Sequence, residues 1–84
     1  MKLENNKVQN KIKKNFLSIF KLKKNKYNFK ISRNNFDDWD SINHLNFMMS
    51  LEREFNINFS YKEFLNLNSI EKLIKNIEKK NKKK

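Results

Sequence analysis

The chain has 84 residues, no cysteine, no glycine and no proline, and a formal net charge of +11. A chain this short encloses one modest core of marginal stability, and the missing cysteines exclude disulfide frameworks and thiolate metal sites. No apolar run approaches the length of a membrane span, and the first residues lack the apolar stretch of a secretory signal, so a cytoplasmic location without a membrane span is expected.

With no Gly or Pro, the turns fall to Asn, Asp and Ser. The first helix is predicted from about Glu4 to Leu22. Val8, Ile12, Phe16, Ile19 and Phe20 fall at helical spacing and form one apolar stripe, while Lys11, Lys13, Lys14 and Asn15 occupy the remaining surface. Residues 1–35 carry ten Lys and one Arg against one Glu, a balance of +10. From Lys23 to Asp40 no period survives, which predicts a long loop anchored by Tyr27, Phe29 and Phe36. Loops of this length in a small domain are uncommon and mark either a functional segment or a wrong element assignment.

The second helix is predicted to begin at Ser41. Asp40 and Ser41 both suit a helix start, and Asp37, Asp38 and Asp40 put negative charge at the positive end of its dipole. Phe47, Leu51 and Phe55 recur every four residues as the buried stripe. Ile42, Leu45 and Met49 define a second apolar face that one small core cannot also cover, which suggests one face for folding and one for partners. The competing reading makes Met48 and Met49 fillers of an irregular core.

After a short connection, residues 56–59, Ser60-Tyr61-Lys62-Glu63 has the spacing of a capping box. It opens a brief third helix whose Phe64 and Leu67 should pack inward. A second box, Asn68-Ser69-Ile70-Glu71, starts the last helix, with Ile70, Leu73, Ile74 and Ile77 as its stripe. Residues 36–78 hold eight acids against four bases, a balance of −4, and the last six residues add five Lys. Residues 79–84 therefore read as a basic, disordered and solvated tail behind a domain of residues 1–78. The fold class is all-α, a small bundle of three longer helices and one short one with a long first loop.

Lysine outnumbers arginine eighteen to two. A strongly A+T-rich coding sequence would produce that bias with no selection for phosphate binding. The alternative is a small basic helical protein that binds nucleic acid. Lys2 through Lys30, interleaved with Tyr27 and Phe29, together with the Lys79–Lys84 tail, would neutralise phosphates and stack on bases. Against it stand the scarcity of arginine and the lack of a recognised nucleic-acid motif.

Asp40-Ser41-Ile42 is a trivial triplet alone, and Ser41 could simply cap the helix, worth about 1 kcal/mol. His44, three residues on, invites a hydrolase reading with Ser41 and Asp40. Neighbours on one exposed helix do not build an oxyanion hole or a substrate pocket, so His44 is expected at the surface, touching partners. No second histidine supports a metal site; Asp37, Asp38 and Asp40 read as solvated acids at a helix start. Trp39 is expected to wedge the loop against the bundle, with a partner anchor as the alternative.

The triplet does not stand alone. Leu51-Glu52-Arg53-Glu54-Phe55, a short polar turn, a capped helix and Ser69-Ile70-Glu71-Lys72-Leu73-Ile74 follow it at fixed distance. Over residues 4–78 this arrangement resembles the acyl carrier protein family. Trp39-Asp40-Ser41-Ile42-Asn43-His44-Leu45 looks like a free-standing bacterial subgroup of that phosphopantetheine-binding family. The resemblance implies a four-helix bundle of acyl-carrier type, monomeric and not itself an enzyme, in fatty acid or lipid biosynthesis. It implies that Ser41, beside Asp40, carries covalent 4′-phosphopantetheine whose thiol holds acyl or aminoacyl groups as thioesters. The implied partners are a phosphopantetheinyl transferase, which brings coenzyme A, magnesium and its own base, an acyl-activating ligase or acyltransferase, and downstream acyl-processing enzymes. Those partners would dock on Ile42, Leu45, Met49, Glu52 and Arg53. A carrier-like module that has lost modification is a third possibility, against which the intact triplet argues. The chain departs from the family pattern at Trp39, where Gly is usual, and at Ile42, where Leu is usual. Asn46 and Arg53 also sit where acids are common. These departures point to a dedicated carrier rather than one serving general fatty-acid synthesis.

Overall fold

A computed structural model describes residues 2–22 and 26–82, with side chains for 7–22 and 26–80. Lys23, Lys24, Lys83 and Lys84, four lysines of the basic regions, lie outside the described residues. The chain forms α1 (Lys2–Phe20), α2 (Ser41–Phe55), α3 (Tyr61–Asn66) and α4 (Ile70–Lys82), a small all-helical bundle in which α1 packs on α2 and α4. No helix among the described residues is long and apolar enough to cross a membrane.

The stripe on α1 makes the core. Val8, Ile12, Phe16 and Phe20, one residue per turn, are buried, and Ile19 packs against them. Phe16 is the hub: its ring lies 4.3 Å from Phe20 and 5.4 to 5.7 Å from Tyr27, Phe36, Trp39 and Phe47. Such tilted and edge-on ring pairs add to the area they bury. The helix stops two residues before the predicted Leu22. Lys21 turns left-handed (φ 53°) and the Leu22 N–H donates to the Leu17 carbonyl at 3.3 Å, closing a Schellman-type end without glycine. Asn56 (φ 55°) ends α2 in the same way, with the Ile57 N–H donating to Glu52 O.

The first loop is more ordered than its composition predicts. Asn28, through Oδ1, and Asn35, through Oδ1 and Nδ2, hydrogen-bond backbone groups of Lys30 and Ser32, holding the turns that glycine would otherwise supply. Ile31, which the sequence reading left without a role, is buried. Ser32 forms an isolated antiparallel bridge with Ser69, and the Arg33 and Ile70 N–H groups donate to Asn68 O and Ile31 O, both at 3.0 Å. The loop is thus laced to the α3–α4 junction. Of its expected aromatic anchors, Tyr27 and Phe36 pack on the core, whereas Phe29 is half exposed and lies outside the core cluster of the described residues. Burial pushes the Tyr27 hydroxyl up to about 12.

The capping box at Ser60 forms in full. Ser60 Oγ accepts from the Glu63 N–H and Glu63 Oε1 accepts from the Ser60 N–H. Glu63 also accepts from the Asn76 amide at 2.9 Å and pairs with Lys80 at 3.0 Å. Desolvation pulls the Glu63 carboxyl upward, but Asn76, the Ser60 N–H and Lys80 together outweigh it and hold the group at about 2. At the second predicted box the cap is Ser69 rather than Asn68: Ser69 Oγ accepts from the Lys72 N–H, and Asn68 Oδ1 accepts from Lys72 Nζ instead. The predicted tail is also corrected. α4 continues through Lys82 because Ile77 is buried and Lys80 bridges to Glu63 over the Phe59 ring, so Lys79–Lys82 are helical and Lys80 is a structural cation.

Candidate functional site

The head of α2 is built from the loop outward. Trp39 is 2 % exposed and packs edge-on against Phe16 and Phe47, which seats the loop on the core. Arg33 Nε donates to the Trp39 carbonyl at 3.2 Å and fixes the peptide just before the helix. Asp40 then takes the cap: its Oδ1 accepts from the Asn43 N–H at 2.9 Å and its carbonyl from the His44 N–H. Asn43 Nδ2 donates back to the Asp38 carbonyl. Ser41 is therefore the first residue of the helix proper, not its cap. Its side chain is exposed, and its hydroxyl makes no hydrogen bond among the described residues.

His44 overturns the expectation of a surface residue. It is 1 % exposed. The Trp39 indole Nε1–H donates to His44 Nδ1 at 2.9 Å, and His44 Nε2 lies 2.7 Å from the Phe64 carbonyl. An indole N–H can only donate and a carbonyl can only accept, so the ring is neutral with its proton on Nε2. Desolvation lowers the His44 pKa; the Phe64 carbonyl partly opposes this, and the positive charge of Arg33 adds to it. Both ring nitrogens are committed to structure, which leaves none to activate Ser41 and removes the hydrolase reading. The physical gain is a chain of bonds from loop to α2 to α3, with Ser41 standing above it.

The two faces of α2 separate as their spacing predicts. His44, Phe47, Met48, Leu51 and Phe55 are buried. Ile42, Leu45 and Met49 are 72 %, 47 % and 46 % exposed. Met48 thus belongs to the core and Met49 does not. Tyr61 and Leu65 on α3 are also large exposed apolar residues.

The charged residues of α2 differ in what they are free to do. Glu52 Oε2 accepts from the Phe59 N–H at 2.8 Å and ties down the α2–α3 turn. Glu54 accepts from the Asn15 amide at 3.1 Å and faces Lys14 at 3.5 Å. The Asn15 bond chiefly, then Lys14 and Lys11, holds its carboxyl below the ordinary range against partial desolvation. Arg53 is exposed and makes no salt bridge among the described residues. An open crevice of about 390 Å³ lies beside it, lined by Met49, Glu52, Arg53, Asn56, Ile57 and Asn58. Asp37, Asp38 and Asp40 are all exposed, and among the described residues no group of three or more His, Cys, Asp or Glu gathers to hold a metal. No family model matches the chain, and no curated protein matches it.

Missing from the sequence reading were the Phe64 carbonyl, the Arg33 tie and the structural work of Glu52. Trp39 and His44 at five residues' separation were a usable signal, since an indole donor and an imidazole acceptor can meet across a helix start.

Proposed function

We propose that the chain is an acyl carrier protein of the acyl-carrier four-helix type, with Ser41 as the attachment point for 4′-phosphopantetheine. The observation that carries this reading is an exposed Ser41 hydroxyl at the head of α2, relieved of capping by Asp40 and set beside an uncovered apolar stripe. A tethered group needs an accessible oxygen on a rigid pedestal and no pocket, and Ser41 above the Trp39–His44–Phe64 chain fits that need. When bound, the arm supplies a distant thiol on which acyl or aminoacyl groups are held as thioesters.

The residues of the chain present and address that arm. A phosphopantetheinyl transferase attaches it, with coenzyme A as donor, and supplies the base that Ser41 lacks. An acyl-activating ligase or acyltransferase loads it, and downstream enzymes receive the cargo while docked on Ile42, Leu45 and Met49. Intact mass after incubation with coenzyme A and a broad-specificity transferase tests the reading, beside Ser41→Ala. A gain of one phosphopantetheine, absent from the Ala variant, is expected. No gain from a folded sample, with a transferase active on another carrier, removes the carrier reading.

A second reading keeps one observation in its favour. Half-exposed Phe29 borders a crevice of about 370 Å³ with Lys13 and Tyr27, beside exposed Lys26 and Lys30. A base could stack there with its phosphates on the lysines. Strongly salt-dependent retention on DNA by an unmodified chain would favour nucleic-acid binding instead.

A further inference from the structure

Ile42, Leu45, Met49 and Arg53 are spaced three, four and four residues apart, so they form one line along α2. The line begins beside Ser41, in a neighbourhood where, among the described residues, exposed Asp37, Asp38 and Asp40 outnumber the one cation, Arg33. It ends at exposed Arg53, about 18 Å from Ser41 at the helical rise of 1.5 Å per residue. Glu54 is bonded by Asn15 and faces Lys14, and Glu52, half-buried and still charged, is tied to the α2–α3 turn by the Phe59 N–H. Along the exposed line itself the order from the reactive end outward is acid, apolar, base, with Glu52 beside Arg53.

We infer that this charge order selects and orients the partner: an enzyme whose apolar groove is basic at the end that receives Ser41 and acidic at the end that receives Arg53. Charge complementarity across an interface sets register and rejects misaligned encounters more than it adds affinity. A groove docked the wrong way round would set its acids against Asp37, Asp38 and Asp40 and its bases against Arg53. The inference rests on the carrier reading for the meaning of the Ser41 end; the oriented face itself does not depend on modification. Arg53 also suits the last turn of α2 through the helix dipole, and the test must separate the two roles.

The probe is a synthetic amphipathic helix with Leu along one face, a Glu cluster at one end, a Lys cluster at the other, and a nitroxide at the Glu end. Amide signals of the full chain report which end of α2 the nitroxide approaches. The expected result is broadening around Arg53 and Ile57 over that around Asn43 and Leu45, with about a fivefold preference for this orientation, the worth of one good exposed ion pair. Arg53→Glu should abolish or reverse the preference, while Lys7→Glu, the same change of net charge on exposed α1, should leave it. Thermal melts confirm that both variants remain folded, and a loss confined to Arg53→Glu melting is the dipole role alone, which overturns the inference. Absence of binding, equal broadening at both ends, or equal response to the two variants also overturns it. A chain that gains phosphopantetheine but does not orient the probe keeps the carrier reading and loses this one; a chain that orients the probe but is never modified does the reverse.

Discussion

The two faces of α2 carry apolar residues of similar size, yet they do opposite work. Phe47, Leu51 and Phe55 are sealed against α1 and its aromatic hub, whereas Ile42 is largely exposed and Leu45 and Met49 are half exposed. Burial of a large apolar side chain stabilises the fold by about 1.5–3 kcal/mol, and exposure of the same side chain forgoes that gain. A helix that gives up part of this stabilisation at three positions in one line, in a domain with little to spare, supports the proposal that partners dock there. The comparison teaches that hydrophobicity alone does not separate the buried face from the exposed one; position around the helix does.

The sharpest way to break the comparison is a pair of truncations, one on each face. Phe47→Ala empties the centre of the core and should cost about 3–5 kcal/mol in denaturant unfolding, enough to leave the domain largely unfolded. Leu45→Ala should fall within about 0.5 kcal/mol of the parent, as exposed substitutions usually do. Equal costs for the two would show that Leu45 is covered in solution and would merge the two faces into one core.

His44 tests a subtler point, because it is the polar member of the buried face. His44→Phe keeps an aromatic ring but strands the Trp39 indole N–H and the Phe64 carbonyl, at about 1–3 kcal/mol for each unpaired group. The pH dependence follows from the lowered pKa of this ring. Its contribution is whole above the unfolded value of 6.5 and is lost as pH falls below 6.5 through the folded value, because the unfolded chain takes up the proton first. Stability of the parent should therefore decline as pH falls below 6.5, and that decline should be absent from His44→Phe. A parent that is flat over this range, followed by urea titration, would mean that the imidazole is solvated.

Much of this was legible from the chain. The stripes of α1, α2 and α4 are periodic, and a period reports the buried face without knowledge of what lies opposite. The Ser60–Glu63 box is local and forms as spaced. The failures share a different cause. His44 is buried because Trp39 and Phe64 converge on it from two elements. Ile31 is buried because its loop pairs with residues almost forty positions away. Lys80 is held in a helix by Glu63 on another one. Apart from Trp39, five residues before His44, none of these partners is near in sequence, so no spacing rule could announce them. The head of α2 was half legible: the Trp39 wedge and the helix start at Asp40 and Ser41 follow from local chemistry, while the support beneath Ser41 is tertiary.

Glu52 marks the border between the two faces and gives the smallest expected effect. The resemblance to acyl carriers places it among residues that partners read, but its carboxylate is turned toward the Phe59 N–H at 2.8 Å. Glu52→Ala should therefore behave as a turn mutation, costing about 1 kcal/mol in unfolding, the usual worth of one such bond. Because the Glu63 box and the Asn56 helix end remain, α3 should still form, and the loss should not grow. The orientation of a docked amphipathic helix should be unchanged, since Arg53 and not Glu52 supplies the readable charge. The opposite pattern, with unaltered stability and altered docking, would move Glu52 onto the exposed face and restore acid to the distal end of α2. That outcome would flatten the charge order along the helix, because Glu52 would neutralise Arg53 one residue away.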